Sequence, residues 1–313
     1  MDPGRPAAVL SSIGGTPLVE LTRVVPPGHA RILLKVESHN PTGSMKDRMA
    51  LAVVDSAAAD GRLRPGGTLV EYTGGSTGTS LAFVCAARGF AITLVTSDAF
   101  SLEKRSHMRA LGAAVVEIPS DGGRITKQLI RGMMAKAEEL SAAPGAYYAD
   151  QFNNRDAVAG YAPLAEEIRA QLGGKVDVFV QAVGTAHCIA GVAQGLRGHD
   201  PDVRVVAVEP AESPVLSGGS PGGHRIEGVG PGFVPPLWEP ELVDAIEPVS
   251  SADAMDMCRR LAREEALFAG TSTGANVVAA LREAKRMGEG HTVVTLACDS
   301  GLKYLSADLY GGG

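Results

Sequence analysis

Short, nearly continuous apolar runs alternate along this chain with longer stretches in which apolar positions return every three or four residues. The runs at 32–36, 68–72, 91–96 and 114–118 read as strands. The periodic stretches at 79–88, 102–111 and 125–140 read as helices, and 49–54 continues as an amphipathic one. After Asp150 the pattern resumes with strands at 176–183, 203–209 and 291–297 and helices at 189–196, 252–265 and 275–287. Strands alternating with helices imply parallel sheets with right-handed crossovers. The expected fold class is therefore α/β, two doubly wound domains with a ligand in the cleft at the carboxyl ends of their strands. A Gly/Pro/Ser-rich stretch at 213–236 is too long for a structural turn and reads as an active-site loop.

Composition narrows the class. The chain is 45% hydrophobic with 39 glycines, as helices packed closely on parallel strands require. Only 4% is aromatic and the net charge is −6 with no basic block, which argues against nucleic acid or an anionic membrane as partner. No apolar run approaches the ~20 residues of a membrane span, and the N-terminus lacks a basic-then-apolar signal pattern. Cys85, Cys188, Cys258 and Cys298 form no CxxC, so neither a metal site nor a disulfide framework is expected. A cytoplasmic enzyme is the expected class.

The stretch Asn40-Pro41-Thr42-Gly43-Ser44-Met45-Lys46-Asp47-Arg48 joins the first strand to its helix. Ser44 and Asp47 have the spacing of a capping box, which places Lys46 in the first helical turn. A cation among unpaired N–H groups is disfavoured there, so a lowered amine pKa and carbonyl chemistry are expected. Three further turns are glycine-rich. Thr73-Gly74-Gly75-Ser76-Thr77-Gly78 brings N–H groups and hydroxyls to a helix start, an anion site able to hold a carboxylate. Gly184-Thr185-Ala186-His187-Cys188 has the form of a phosphate site. In Cys298-Asp299-Ser300-Gly301 a serine hydroxyl can meet a heterocycle nitrogen. The second turn fails G-x-G-x-x-G at its second and third glycines, which argues against a dinucleotide.

Together these residues resemble the cysteine synthase (O-acetylserine sulfhydrylase)/cystathionine β-synthase family of fold type II pyridoxal-phosphate enzymes, whose architecture is like that of tryptophan synthase β. The likeness runs nearly end to end. It takes in Ile13-Gly14-Gly15-Thr16-Pro17-Leu18, Gln151-Phe152-Asn153-Asn154, Val208-Glu209-Pro210, Gly228-Val229-Gly230-Pro231-Gly232-Phe233, Gly270-Thr271-Ser272-Thr273-Gly274-Ala275 and Asp299-Ser300-Gly301.

The resemblance implies pyridoxal 5′-phosphate bound covalently by Lys46, its phosphate held by Gly184, Thr185, Ala186, His187 and Cys188, and its pyridine nitrogen faced by Ser300. It implies that Thr73, Gly74, Ser76, Thr77 and Gln151 bind the substrate, with Glu227 and Gly228 on a loop over the site. It also implies a small mobile substrate-gripping domain at 40–150, a large cofactor-binding domain at 1–39 plus 151–313, and a homodimer. Strand alternation is expected to turn Asp299 away from the side Ser300 faces.

Two departures mark a divergent branch. The family's Thr-Ser-Gly-Asn-Thr reads Thr73-Gly74-Gly75-Ser76-Thr77 here, so Ser76 replaces the asparagine that contacts the cofactor's 3′-oxygen. The family's Gly-Thr-Gly-Gly-Thr ends here in Ala186-His187-Cys188. The implied activity is β-replacement on an O-activated L-serine through an aminoacrylate, with sulfide or a specialised nucleophile. The alternatives are a β-eliminating lyase (cysteine desulfhydrase or serine/threonine deaminase) and a non-catalytic regulatory homologue. Glu227 would repel a phosphorylated leaving group and favour a neutral one such as O-acetyl. Otherwise it faces solvent or pairs with Arg225.

Overall fold

Burial on both faces explains why the strands read as unbroken apolar runs rather than alternating ones. In the computed structural model, which describes residues 8–310, every residue of the strands at Val178–Ala182 and Thr292–Ala297 is buried. In chain order the strands are β1 (Leu18–Leu21), β2 (Arg31–Val36), β3 (Thr68–Tyr72), β4 (Ala91–Ser97), β5 (Ala114–Ile118), β6 (Ala146–Tyr148), β7 (Val178–Ala182), β8 (Arg204–Pro210), β9 (Ala245–Val249) and β10 (Thr292–Ala297). The helices are α1 (Lys46–Ala59), α2 (Ser76–Arg88), α3 (Leu102–Ala110), α4 (Lys127–Ser141), α5 (Asp156–Ala159), α6 (Ala162–Leu172), α7 (His187–His199), α8 (Ser251–Glu264) and α9 (Thr271–Met287).

The chain divides into two compact units. Among the described residues one comprises 8–13 and Asn40–Gly160, the other Gly14–His39 and 161–310. The first holds a parallel sheet in the order β5-β4-β3-β6. The second holds a sheet in the order β1-β2-β10-β7-β8-β9, parallel except for β1. Both are mixed α/β with parallel sheets, as the alternation implies.

The first unit runs to Gly160, beyond the boundary at 150 read from the sequence. Hydrogen bonds explain the extension. Gln151 N–H reaches Glu71 Oε2 at 3.0 Å, Asn154 Nδ2 reaches Tyr147 Oη at 2.9 Å, and Arg62 pairs with Asp156 at 2.7 Å. The sequence reading also passed over β1, β6, β9, α5 and α6. β6 has three half-buried residues, and β9 carries Pro248, which weakens a strand pattern.

In the second unit the Gly-Gly-Thr-Pro-Leu motif is structural. Thr16 Oγ1 donates to Glu37 at 2.6 Å, and the Thr16 carbonyl accepts from Lys35 Nζ at 2.5 Å and from Gln171 Nε2 at 2.9 Å. Lys35 is fully buried and pairs with Glu167 at 2.7 Å, which makes its burial tolerable. The core lies between the sheet and the apolar faces of α8 and α9, with Val180, Val206, Leu261, Val277 and Val293 among its members. Among the described residues no helix is long and apolar enough to cross a membrane.

Candidate active site

Lys46 is the first residue of α1 and is half-buried. The Ser44–Asp47 capping box does not form as read. The N-cap is Met45, whose side chain makes no capping bond, and Ser44 Oγ accepts instead from Lys46 N–H at 3.2 Å. Because the helix begins at Lys46, Asp47 lies only one residue inside it and cannot perform the N3 reach of a box. Its fully buried carboxylate accepts from Thr42 N–H at 2.8 Å and Thr42 Oγ1 at 2.6 Å. The residue after Lys46 is therefore anchored to Thr42, and the Lys46 N–H is held by Ser44.

In the same unit, β3 ends in the threonine turn. Thr73 Oγ1 accepts from Gly75 N–H at 2.9 Å and Gly78 N–H at 3.0 Å. Both lone pairs of that hydroxyl are thus engaged, so toward a ligand it can act only as a donor. That suits an anion. Gly75 has φ +145°, and a Cβ there would meet the Lys104 stem at 2.2 Å, so glycine is required on two counts. Ser76 opens α2, where first-turn N–H groups lack helical acceptors. Thr77 Oγ1 donates to Gln151 Oε1 at 2.9 Å, and Gln151 Nε2 donates to the Tyr72 carbonyl at 2.9 Å. The structure brings Thr73, Thr77 and Gln151 together, all three buried. The sequence reading did not single out Glu71, fully buried behind this turn. Its signal was an acidic residue inside an otherwise apolar strand.

In the second unit the phosphate-type turn follows β7. Gly184 has no room for a side chain, because a Cβ there would stand 2.4 Å from the Gly228 carbonyl oxygen. Gly230 N–H holds that passing loop by donating to Val183 O at 3.0 Å. Ala186, in the left-handed region at φ +68°, is the N-cap of α7, and His187 and Cys188 form the first turn. Thr185 Oγ1 lies 3.0 Å from His187 Nδ1, with both side chains buried.

Ser300 lies three residues beyond β10, and its Oγ accepts from Leu302 N–H at 3.2 Å. β10 and β7 are adjacent and parallel, so Gly184 and Ser300 leave the carboxyl ends of neighbouring strands. Asp299 is engaged elsewhere, accepting from Tyr304 Oη at 2.8 Å. Tyr304 is fully buried, and burial first and Asp299 second push its hydroxyl pKa well above the ordinary range. On the loop, Glu227 is half-buried and its N–H donates to Thr271 Oγ1 at 2.9 Å. Arg225, the alternative partner considered for Glu227, pairs with Asp308 at 3.0 Å. Residues 211–239 form neither helix nor strand, in keeping with the loop read at 213–236. Leu216 N–H and Ser217 Oγ on Glu209, and Ser251 N–H on Glu212, tie the loop down.

This turn fits pyridoxal phosphate. It offers a glycine cradle that one methyl would fill, a threonine hydroxyl, and a helix start whose N–H groups suit a dianion. The sequence pattern of the pyridoxal-phosphate dependent enzymes matches residues 9–299. The chain belongs to this family. Over 300 residues it is 41% identical to the cysteine synthase of Staphylococcus aureus, covering 95% of each chain. Its fold matches O-ureido-L-serine synthase with a TM-score of 0.90 at 41% identity, over 97% of this chain and 95% of that one. It matches the cysteine synthase of Entamoeba histolytica with a TM-score of 0.91 at 36% identity, over 99% and 92%. This member of the pyridoxal-phosphate family is an enzyme, and its cofactor is pyridoxal 5′-phosphate.

Proposed function

We propose that this enzyme replaces the β-substituent of an O-activated L-serine whose leaving group is neutral, as in O-acetyl-L-serine. The observation that carries the reading is the threonine turn after β3. A donor-only Thr73 and the start of α2 form an anion grip suited to an amino-acid carboxylate, on a chain 41% identical to a cysteine synthase. In the net reaction the Cβ–O bond breaks, the carboxylate or other leaving group departs, and a Cβ–nucleophile bond forms, with the Cα proton removed and returned.

Bound to this chain, pyridoxal phosphate supplies the electron sink that makes that Cα proton acidic. Gly184, Thr185, Ala186, His187 and Cys188 would hold its phosphate, Ser300 its pyridine nitrogen and Ser76 its ring oxygen. Lys46 Nζ would anchor it and move the proton at Cα. Thr73, Gly74, Ser76, Thr77 and Gln151 orient the substrate through its carboxylate. Glu227 and Gly228 lie on the loop that selects the leaving group and nucleophile, and Glu227 favours nucleophiles with N–H donors. The first unit is the substrate-gripping domain and the second the cofactor-binding one. We read the protein as a cytoplasmic homodimer. All four cysteines are free and buried, which suits a reducing compartment.

The test is product analysis. With O-acetyl-L-serine and sulfide the enzyme is expected to form L-cysteine. Pyruvate and ammonia as the main products, in the presence of sulfide or an amine nucleophile, would establish the β-eliminating lyase instead.

A further inference from the structure

We infer that Glu71 is a positioning residue for substrate recognition, setting the Gln151 amide for the α-carboxylate of the amino-acid donor. The inference rests on the proposed role of the threonine turn and deepens it.

The geometry begins where a strand ladder stops. β6 pairs with β3 as far as Val70↔Tyr148, and Ala149 N–H makes a last bond to Val70 O at 3.0 Å. Asp150 then turns into the left-handed region at φ +46°, its carboxylate gripped by Asn153 Nδ2 at 3.0 and 2.9 Å. A non-glycine residue in that conformation is uncommon and needs support from its surroundings. The turn takes the chain off the ladder and leaves two N–H groups, on Tyr72 and Gln151, without strand partners in a buried place.

The Glu71 carboxyl takes both. Oε1 accepts from Tyr72 N–H and Oε2 from Gln151 N–H, each at 3.0 Å, and Gln151 Nε2 lies 3.5 Å from Oε1. One fully buried side chain thus fixes the residue before the threonine turn and the backbone from which Gln151 projects. The Gln151 amide is in turn oriented at both ends, by Tyr72 O and by Thr77 Oγ1. Gln151 lies more than seventy residues from the turn that carries Thr73 and Thr77; Thr77 bonds its side chain directly, and Glu71 ties its backbone to the same strand end.

Charge supports the assignment. Burial pushes the Glu71 carboxyl pKa well above its ordinary range, while the bond from Gln151 N–H pulls it down. The ladder end needs two acceptors, and a carboxyl supplies both in one side chain. Closing it with the residue that also fixes Gln151 couples the strand end to the ligand.

Glu71→Gln offers one oxygen acceptor where the carboxyl offers two, so either Tyr72 or Gln151 loses its bond. The assay uses the cofactor-loaded enzyme and follows the absorbance change on titration with L-serine and with L-serinamide, which lacks the carboxylate. Glu71→Gln is expected to weaken L-serine by about tenfold or more and to leave L-serinamide unchanged within about twofold. The KM for O-acetyl-L-serine should rise with kcat little altered, and adding Gln151→Ala should weaken L-serine no further than Gln151→Ala alone.

Equal weakening of both ligands would make Glu71 merely structural and overturn the inference. So would unchanged L-serine binding in Glu71→Gln beside weakened binding in Gln151→Ala, although the proposed carboxylate grip would then stand. Unchanged L-serine binding in Gln151→Ala itself would bring down that grip, and the inference with it. Should Glu71→Gln fail to fold, Glu71→Asp, which keeps the charge but shortens the reach by one methylene, is read by the same criteria.

Discussion

Gly184→Ala puts the phosphate turn to its most direct test. An added Cβ would stand 2.4 Å from the Gly228 carbonyl oxygen, a backbone atom that cannot rotate aside. Ordinary contact begins at 3.4 Å, so the two chain segments must separate by about 1 Å (3.4 less 2.4). Gly230 N–H on Val183 O at 3.0 Å resists that separation just beyond the contact, and Glu227 N–H on Thr271 Oγ1 at 2.9 Å resists it just before. Overpacking of this kind costs about 1–3 kcal/mol.

Without cofactor the turn can relieve the strain by shifting. With the phosphate bound it must return to its place, so most of the cost falls on affinity, about 5- to 150-fold in Kd. The assay is titration of the cofactor-free protein with pyridoxal 5′-phosphate, with thermal unfolding of the same samples. A Kd within about twofold of wild type together with an unchanged Tm would refute the reasoning, because the strain would then have fallen on neither state.

Three further substitutions test the site. Lys46→Ala should leave a folded protein that holds the cofactor weakly, lacks the visible absorbance of the lysine-bound cofactor and performs no β-replacement; near-normal turnover would sink the assignment of Lys46. Ser76→Asn restores the residue usual in the family and should improve use of O-acetyl-L-serine with sulfide at the expense of the native pair, whereas an unchanged preference across a donor and nucleophile panel would show Ser76 to be a bystander. Glu227→Gln should raise kcat/KM for O-phospho-L-serine, since unit charges a few ångströms apart cost about 1–4 kcal/mol, or roughly one to three powers of ten. O-Acetyl-L-serine should be little affected, and a wild-type enzyme that already prefers the phosphorylated donor would contradict this reading of the loop.

Local pattern was enough for most of the elements and for the family. The buried runs of β2, β7, β8 and β10 announce themselves because both faces of a parallel sheet are covered, and a motif as dense as residues 40–48 is enough to point to the family. Cap geometry was beyond that reach. Whether Asp47 reaches back to Ser44 or clasps Thr42 depends on which residue begins the helix, and one residue of shift exchanges the partners.

Tertiary structure alone decided the rest. That β10, the last strand among the described residues, inserts between β2 and β7 is invisible in any local window, yet it sets Ser300 at the carboxyl end of the strand beside the one that carries the turn proposed to hold the phosphate. The same holds for Glu71 and Gln151, 80 residues apart and joined at 3.0 Å. Hydrogen bonds act over three ångströms and periodicity over a few residues, so a contact between distant segments exists only once the sheet has fixed their register.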